Sequence, residues 1–209
     1  MSKLLHIDSS GRGSLSVTQP LTAYFTRKWK EINPAGQVIH RNLAESDLQF
    51  VNAELVAAFH TPDEKLTPKQ RELLHQSDEL VSELTEADVY VVGVPMYNFS
   101  IPAVFKAYID LVVRAGKTFS YGADGAKGLL LNKKLVVVSA SGGDYSAEPA
   151  KSLDFLEPYV RAIMNFIGIV DISFVKAHGH DAETISMTTE AARNAIDKIL
   201  QPAAIQGHR

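Results

Sequence analysis

The chain has 209 residues, 45% of them apolar, and its 21 basic against 24 acidic side chains leave a formal net charge of -3. That composition carries a core of the size of one large domain, excludes a disordered chain, and offers no basic patch for nucleic acid. Cysteine is absent, which excludes disulfides, thiolate nucleophiles and thiolate metal sites and fits a reducing cytoplasm.

The opening residues, MSKLLHIDSS, lack the apolar run and small-residue cleavage site of a secretory leader, and no apolar stretch is long enough to span a membrane. Residues 3–7 read instead as a short strand. It runs into Ser9-Ser10-Gly11-Arg12-Gly13-Ser14-Leu15-Ser16, a loop rich in hydroxyls and glycine, ahead of a helix expected over 17–31. Ser16-Val17-Thr18-Gln19 has the spacing of a capping box. The stretch from Gly11 to Ser16 misses the dinucleotide pattern G-x-G-x-x-G by its last residue, and this loop lacks the Gly-Lys-Ser/Thr of a phosphate loop. Two readings stay open. Either Ser16 only caps its helix and the rest is a polar turn, or the loop cradles one terminal phosphate monoester. In the second reading Ser9, Ser10, Ser16, Thr18 and the Val17 N–H supply the donors, aided by the positive end of the helix.

Asn33-Pro34-Ala35-Gly36 turns the chain into a second strand at 37–41. Residues 44–66 then form an excursion longer than a minimal strand–helix connection, with a helical patch at 52–59 that ends on Phe59. Thr67-Pro68-Lys69-Gln70 is a second capping box and opens a helix over 68–85. A nearly continuous apolar run at 88–94 marks a buried strand.

Next comes Pro95-Met96-Tyr97-Asn98-Phe99-Ser100-Ile101-Pro102. Met96, Tyr97 and Phe99 suit the face of a flat ring, and Asn98 with nearby N–H groups suits its polar edge; the alternative is a hinge packed between two prolines. The helix expected over 102–114, with Ser100 just ahead of it, is apolar around most of its circumference. It is therefore buried on more than one side, against the sheet and either the excursion or a partner subunit. Phe119, Tyr121 and Phe59 are candidates for the walls of a substrate pocket; the alternative, strongest for Phe59, is packing between helix and strand.

A strand at 133–139 leads into Ala140-Ser141-Gly142-Gly143, where missing Cβ atoms admit a close ligand or simply make a turn. A helix over 151–167, a strand at 171–176 and a helix over 182–200 complete the chain. His178 and His180 form an H-x-H pair with no third ligand in view, so they read as surface residues and no metal is expected.

Strand–helix alternation with no linker-like break predicts an α/β fold in a single domain, 1–209, with an insertion at about 44–66. In a doubly wound sheet the loops after strands one, three and four open on one carboxyl edge, where ligands bind. A phosphate loop beside a planar-ring pocket describes FMN better than NAD.

These motifs, together with Gly116-Lys117-Thr118-Phe119-Ser120-Tyr121, Glu157-Pro158-Tyr159 and Phe166-Ile167-Gly168-Ile169, carry a resemblance over nearly the whole chain. The sequence resembles the FMN-dependent NADH azoreductases, relatives of the NAD(P)H quinone reductases. The resemblance implies a flavodoxin-like, five-stranded parallel sheet of order 2-1-3-4-5 with helices on both faces. It implies FMN held by Ser10, Ser16, Val17 and Thr18, by Met96, Tyr97, Asn98 and Phe99, and by Ala140, Ser141, Gly142 and Gly143. It further implies a homodimer with sites at the interface. The implied reaction is ping-pong reduction of quinones and azo compounds by NADH, with NADPH as the alternative donor. The flavin carries that chemistry, so no side chain is assigned a catalytic role. The first loop lacks the proline frequent in the family after its serines, and Ala177-His178-Gly179-His180 stands where an acidic residue is common. An electron-carrying flavodoxin is the competing function; the near-neutral charge and the long excursion favour the enzyme.

Overall fold

The computed structural model describes residues 2–201. Its strands are β1 (Lys3–Asp8), β2 (Gln37–Asn42), β3 (Val89–Pro95), β4 (Phe119–Gly122), β5 (Gly125–Gly128), β6 (Lys134–Ser141) and β7 (Asp171–His178). Five of them form one parallel sheet in the order β2-β1-β3-β6-β7, the expected order once the two short strands are set aside. The central three are apolar because both of their faces are covered, while β2 and β7 are half-exposed edges. Each of the five runs one or two residues past its expected end. Four of the seven added residues, Asp8, Asn42, Ser141 and His178, are polar, so at those ends a reading by apolar runs stops short while the backbone ladder continues.

The helices are α1 (Thr18–Ile32), α2 (Ala53–Phe59), α3 (Pro68–Glu86), α4 (Ala103–Val112), α5 (Leu156–Phe166) and α6 (Ala182–Leu200). Side chains alternate across the sheet with the period of a strand. Leu4, Val91, Val136 and Val138 meet Phe25 and Trp29 of α1 and Ile196 of α6 on one face. Leu5, Ile7, Val92 and Val137 meet Leu80 of α3, Phe105 of α4 and Val160 of α5 on the other. The second side of α4 packs on α3, where the Ser77 hydroxyl donates to the Leu111 carbonyl at 2.6 Å. The excursion also seats on α3: the Gln49 N–H donates to Gln76 at 2.9 Å, and Leu55 and Ala58 enter the core.

Three local expectations need correction. Thr67 forms its full capping box, but Ser100 does not cap α4; its N–H closes a turn on the Tyr97 carbonyl, and Pro102 stands at the helix start. The helix expected over 151–167 starts only at Leu156, because residues 150–153 make a 3-10 turn and Asp154 Oδ1 accepts from the N–H groups of Leu156 and Glu157, both at 3.0 Å. The glycine-containing segment after residue 118 is an antiparallel hairpin, β4 with β5. Its Asp124-Gly125 pair is a hairpin signal that four-residue strands leave easy to overlook. The hairpin is held close: a Cβ on Gly128 would lie 2.1 Å from the Gly168 N.

Candidate functional site

Four loops meet at the carboxyl edge of the sheet, where β1 and β3 lie side by side and their crossovers run to opposite sides. The loop after β1 is tied down first. Ser9 is fully buried and both its N–H and its hydroxyl donate to the Gly93 carbonyl, at 3.1 and 2.7 Å. Its hydroxyl is spent on the fold, so of the early serines it is Ser10 that lines the cleft. The Ser16 hydroxyl accepts from the Gln19 N–H at 3.2 Å and lies 3.2 Å from the Thr18 hydroxyl, so these two orient the start of α1 while Val17 faces the cleft.

The loop after β3 is anchored by the Met96 N–H on the Ala140 carbonyl at 2.7 Å. Tyr97 and Ser100 then exchange backbone hydrogen bonds at 2.9 and 3.1 Å, with Asn98 at φ 50 and Phe99 at φ 68 between them. Two successive left-handed residues make a type I′ turn. Asparagine tolerates that conformation; for phenylalanine it costs roughly 1–3 kcal/mol. The Tyr97 hydroxyl accepts from the Gly11 N–H at 3.2 Å and joins this loop to the first. The Phe99 carbonyl accepts from the Phe155 N–H at 3.0 Å, and its ring meets Tyr145 edge-on at 6.2 Å.

The loop after β6 folds on itself through the Ser141 hydroxyl, which donates to the Gly143 carbonyl at 2.7 Å. Gly142 lies beneath the His180 ring, and a Cβ there would stand 2.6 Å from its Cε1. At Gly143 a Cβ would meet only Tyr145, at an ordinary 3.6 Å. Close approach therefore requires glycine at the first of the pair and not at the second. Among the described residues, the N–H groups of Asn98, Phe99, Gly142 and Gly143 donate to no protein acceptor.

These loops enclose a cleft of about 260 Å³ lined by Ser10, Val17, Met96, Tyr97, Ala140, Ser141 and Gly142. Gly143 lines a smaller hollow beside it, with Tyr145, Glu157 and Lys176. There Lys176 Nζ lies 2.6 Å from Glu157; burial works against the Glu157 carboxylate, but Lys176 and Arg161 outweigh it and hold its pKa below the usual range. Phe119, Tyr121 and Phe59 do not reach the cleft within one chain. Phe119 packs on Phe166 at 4.6 Å, Tyr121 is 75% exposed, and Phe59 lies under the Arg114 guanidinium at 4.9 Å.

Sequence reasoning passed over Arg12, His178, His180 and Ile185, which all line the cleft. The two histidines had been read as plain surface residues. Their signal was position, since they follow the last strand of a sheet whose strand ends share one edge. The described lining holds Arg12 and two histidines and no carboxylate, the electrostatics expected around a phosphate. The unspent N–H groups, the cationic lining and the space over Gly142 together fit a phosphorylated flat ring such as FMN.

A family model described as having a flavodoxin-like fold matches residues 2–200. The chain is 44% identical over 204 residues to an FMN-dependent NADH:quinone oxidoreductase from Nostoc punctiforme, covering 96% of this chain and 100% of that one. It also superposes on an azoreductase from Bacillus anthracis with a TM-score of 0.85 at 30% identity, covering 95% of this chain and 100% of the other. A second B. anthracis structure, an FMN-dependent NADH-azoreductase in complex with FMN, gives 0.85 at 25% identity over 96% and 100%.

Proposed function

From the premise that the chain belongs to the flavodoxin-like fold family, we propose that it is an FMN-dependent NADH:quinone oxidoreductase that also reduces azo compounds. The observation that carries this reading is the convergence of Ser10, Val17, Met96, Tyr97, Ala140, Ser141 and Gly142 on one cationic cleft. The names borne by its full-length relatives supply the reaction class. They also favour the enzyme over an electron-carrying flavodoxin.

FMN, when bound, supplies the hydride chemistry. The protein's part is binding and electrostatics. Ser10, the Val17 N–H and Arg12 hold the phosphate, with Ser16 and Thr18 keeping the start of α1 in place. Met96, Tyr97, Asn98 and Phe99 take one side of the ring. The unspent N–H groups of that turn and of Gly142 and Gly143 would serve its polar edge and favour added negative charge. Donor and acceptor take turns in the cleft, a ping-pong order with NADH, or NADPH as the alternative, first.

The same reading includes a homodimer with sites at the interface. It is supported by apolar side chains left exposed beside the cleft, namely Phe99, Leu153 and Phe155. Tyr121, which points to solvent in one chain, serves a substrate pocket only across such an interface, with Phe119 and Phe59 behind it. Among the described residues no helix is long and apolar enough to cross a membrane. The reading also takes the chain as one cytoplasmic domain with the 44–66 insertion.

The test is the visible spectrum of the purified full chain, recorded after FMN is added and again after NADH under anaerobic conditions. Flavin bands that appear and then bleach are expected, followed by recovery on adding a small quinone. A chain that takes up no flavin overturns the reading. Bound flavin that resists both NADH and NADPH turns it into an electron carrier.

A further inference from the structure

On the α1 face of the sheet, β1 and β2 set two histidines side by side. His6 and His40 are register partners, with ring centroids 4.3 Å apart. Asp8, two residues along β1, points to the same face. Its Oδ2 lies 3.1 Å from His6 Nε2 and 3.0 Å from His40 Nε2, and these atoms all fall within 4.8 Å of one another.

The surroundings fix this group as a donor set. His6 and Asp8 side chains are only 7% and 5% exposed. His6 Nδ1 is 3.1 Å from the Thr26 hydroxyl, and Asp8 Oδ1 accepts from the Thr22 hydroxyl at 2.8 Å. The Thr26 hydroxyl can accept from or donate to His6 Nδ1; in the tautomer with the proton on Nδ1, Nε2 turns a bare lone pair toward a carboxylate oxygen. Consistent with that, the buried His6 Nε2 has no hydrogen-bond partner of acceptable geometry among the described residues. An imidazole nitrogen and a carboxylate oxygen at this distance need a cation between them, a proton or a metal ion.

We infer that His6 Nε2, His40 Nε2 and Asp8 Oδ2 form a binding site for a divalent cation of the zinc class, clipping the edge strand β2 to β1. Two imidazoles and one carboxylate are a zinc donor set, completed by water in an open fourth position. Tetrahedral bonds of about 2 Å place neighbouring donors roughly 3.3 Å apart; the two nitrogen–carboxylate separations, 3.1 and 3.0 Å, are a few tenths of an ångström short of that, and the half-exposed His40 ring has room to adjust. His40 is 52% exposed and opens the site to solvent beside Gln19, Glu45 and Ser46, which gives the ion and its water a way in. Thr26 and Thr22 are the outer partners that orient a metal-bound imidazole and carboxylate.

The test is calorimetric titration of the untagged, chelator-stripped full chain with zinc chloride, alongside thermal melts with and without zinc. One equivalent per chain is expected, with a higher melting temperature in zinc. His40→Ala, a change at a half-exposed position that preserves the fold, should weaken binding by about 100-fold and abolish the thermal shift; Thr26→Val should weaken it by about 10-fold. His180→Ala should leave the stoichiometry and affinity unchanged, since H-x-H at the cleft is a separate pair. Zinc affinity that survives His40→Ala, affinity that is lost in His180→Ala instead, or no binding by the wild-type chain overturns the inference.

Discussion

At the scale of single residues, the two glycines after β6 are not equivalent. A Cβ at position 142 meets the His180 ring at 2.6 Å, whereas one at 143 meets Tyr145 at 3.6 Å. The His180 ring is a side chain and can yield, but it yields into the cleft. Gly142→Ala is therefore expected to weaken FMN binding by about 10-fold and Gly143→Ala by less than about 2-fold, the former equivalent to ~1.4 kcal/mol; quenching of FMN fluorescence on titration reads both. Phe99 invites a second comparison. At φ 68 it carries a strain that glycine does not. Phe99→Gly and Phe99→Ala both lose the contact with Tyr145, but only alanine keeps a Cβ in the left-handed region. The glycine variant should be the more stable of the two by about 1 kcal/mol in urea melts. Equal melts would mean that the turn relaxes at no cost.

At the scale of elements, the junction of α5 with β7 is electrostatic. Glu157 in the first turn of α5 pairs with Lys176 on β7 and with Arg161 one turn on. Burial opposes its charge and the two cations overcome it, so its folded pKa lies below the unfolded value. The sign follows: the pair stabilises above the unfolded carboxylate range near pH ~4.3, and that contribution fades as pH falls through the lower folded value. Lys176 is partly exposed, so the gain is small, roughly 0.5–1 kcal/mol. Glu157→Gln should lower stability by that amount at neutral pH, and the gap to wild type should close below about pH 4. The β4–β5 hairpin is a contrasting case of backbone against backbone. A Cβ at Gly128 collides with main-chain atoms of Ile167 and Gly168, none of which can rotate away. Gly128→Ala should cost about 2–3 kcal/mol and expose residues 119–128 to proteolysis before the rest of the chain.

At the scale of the molecule, what was legible in the sequence and what was not divide along one line. The alternation of strands and helices and the Thr67 capping box follow from periodicity and local chemistry, which a linear reading sees, whereas the strand order was implied by the family resemblance. Thr67 forms its reciprocal pair with Gln70, whereas Ser16 makes only half of a capping box: its hydroxyl accepts from the Gln19 N–H, but its own N–H donates to the Gly13 carbonyl. The cleft loops were also visible, because unusual residues at the ends of strands one, three and four share an edge in this topology. His178 and His180 were missed since a histidine pair carries no periodic signal, and only the sheet brings it opposite Gly142. His6 and His40 are 34 positions apart; their meeting depends on the β1–β2 register, which no local pattern states.

The same distinction governs the proposed homodimer. Within one chain α3 and the sheet already cover α4, so the apolar circumference of that helix does not by itself demand a partner. The demand comes from elsewhere. Phe155 is 57% exposed, sits beside Leu153, and is joined through its N–H to the carbonyl of strained Phe99. Large apolar side chains at the rim of a cleft are costly to leave in water, and burying one gains roughly 1.5–3 kcal/mol. A subunit docked over this rim would bury them and wall the cleft together. Phe155→Asp removes the gain and places a charge in the contact, while a 57% exposed position leaves the monomer's core intact. Sedimentation should find the wild-type chain at twice its 22.9 kDa mass and the variant at that mass. FMN binding should weaken in step, because the rim and the Phe99 turn are coupled through one hydrogen bond. A wild-type chain that sediments as a monomer while reducing quinones at full rate would confine the whole site to one subunit and leave Tyr121 outside it.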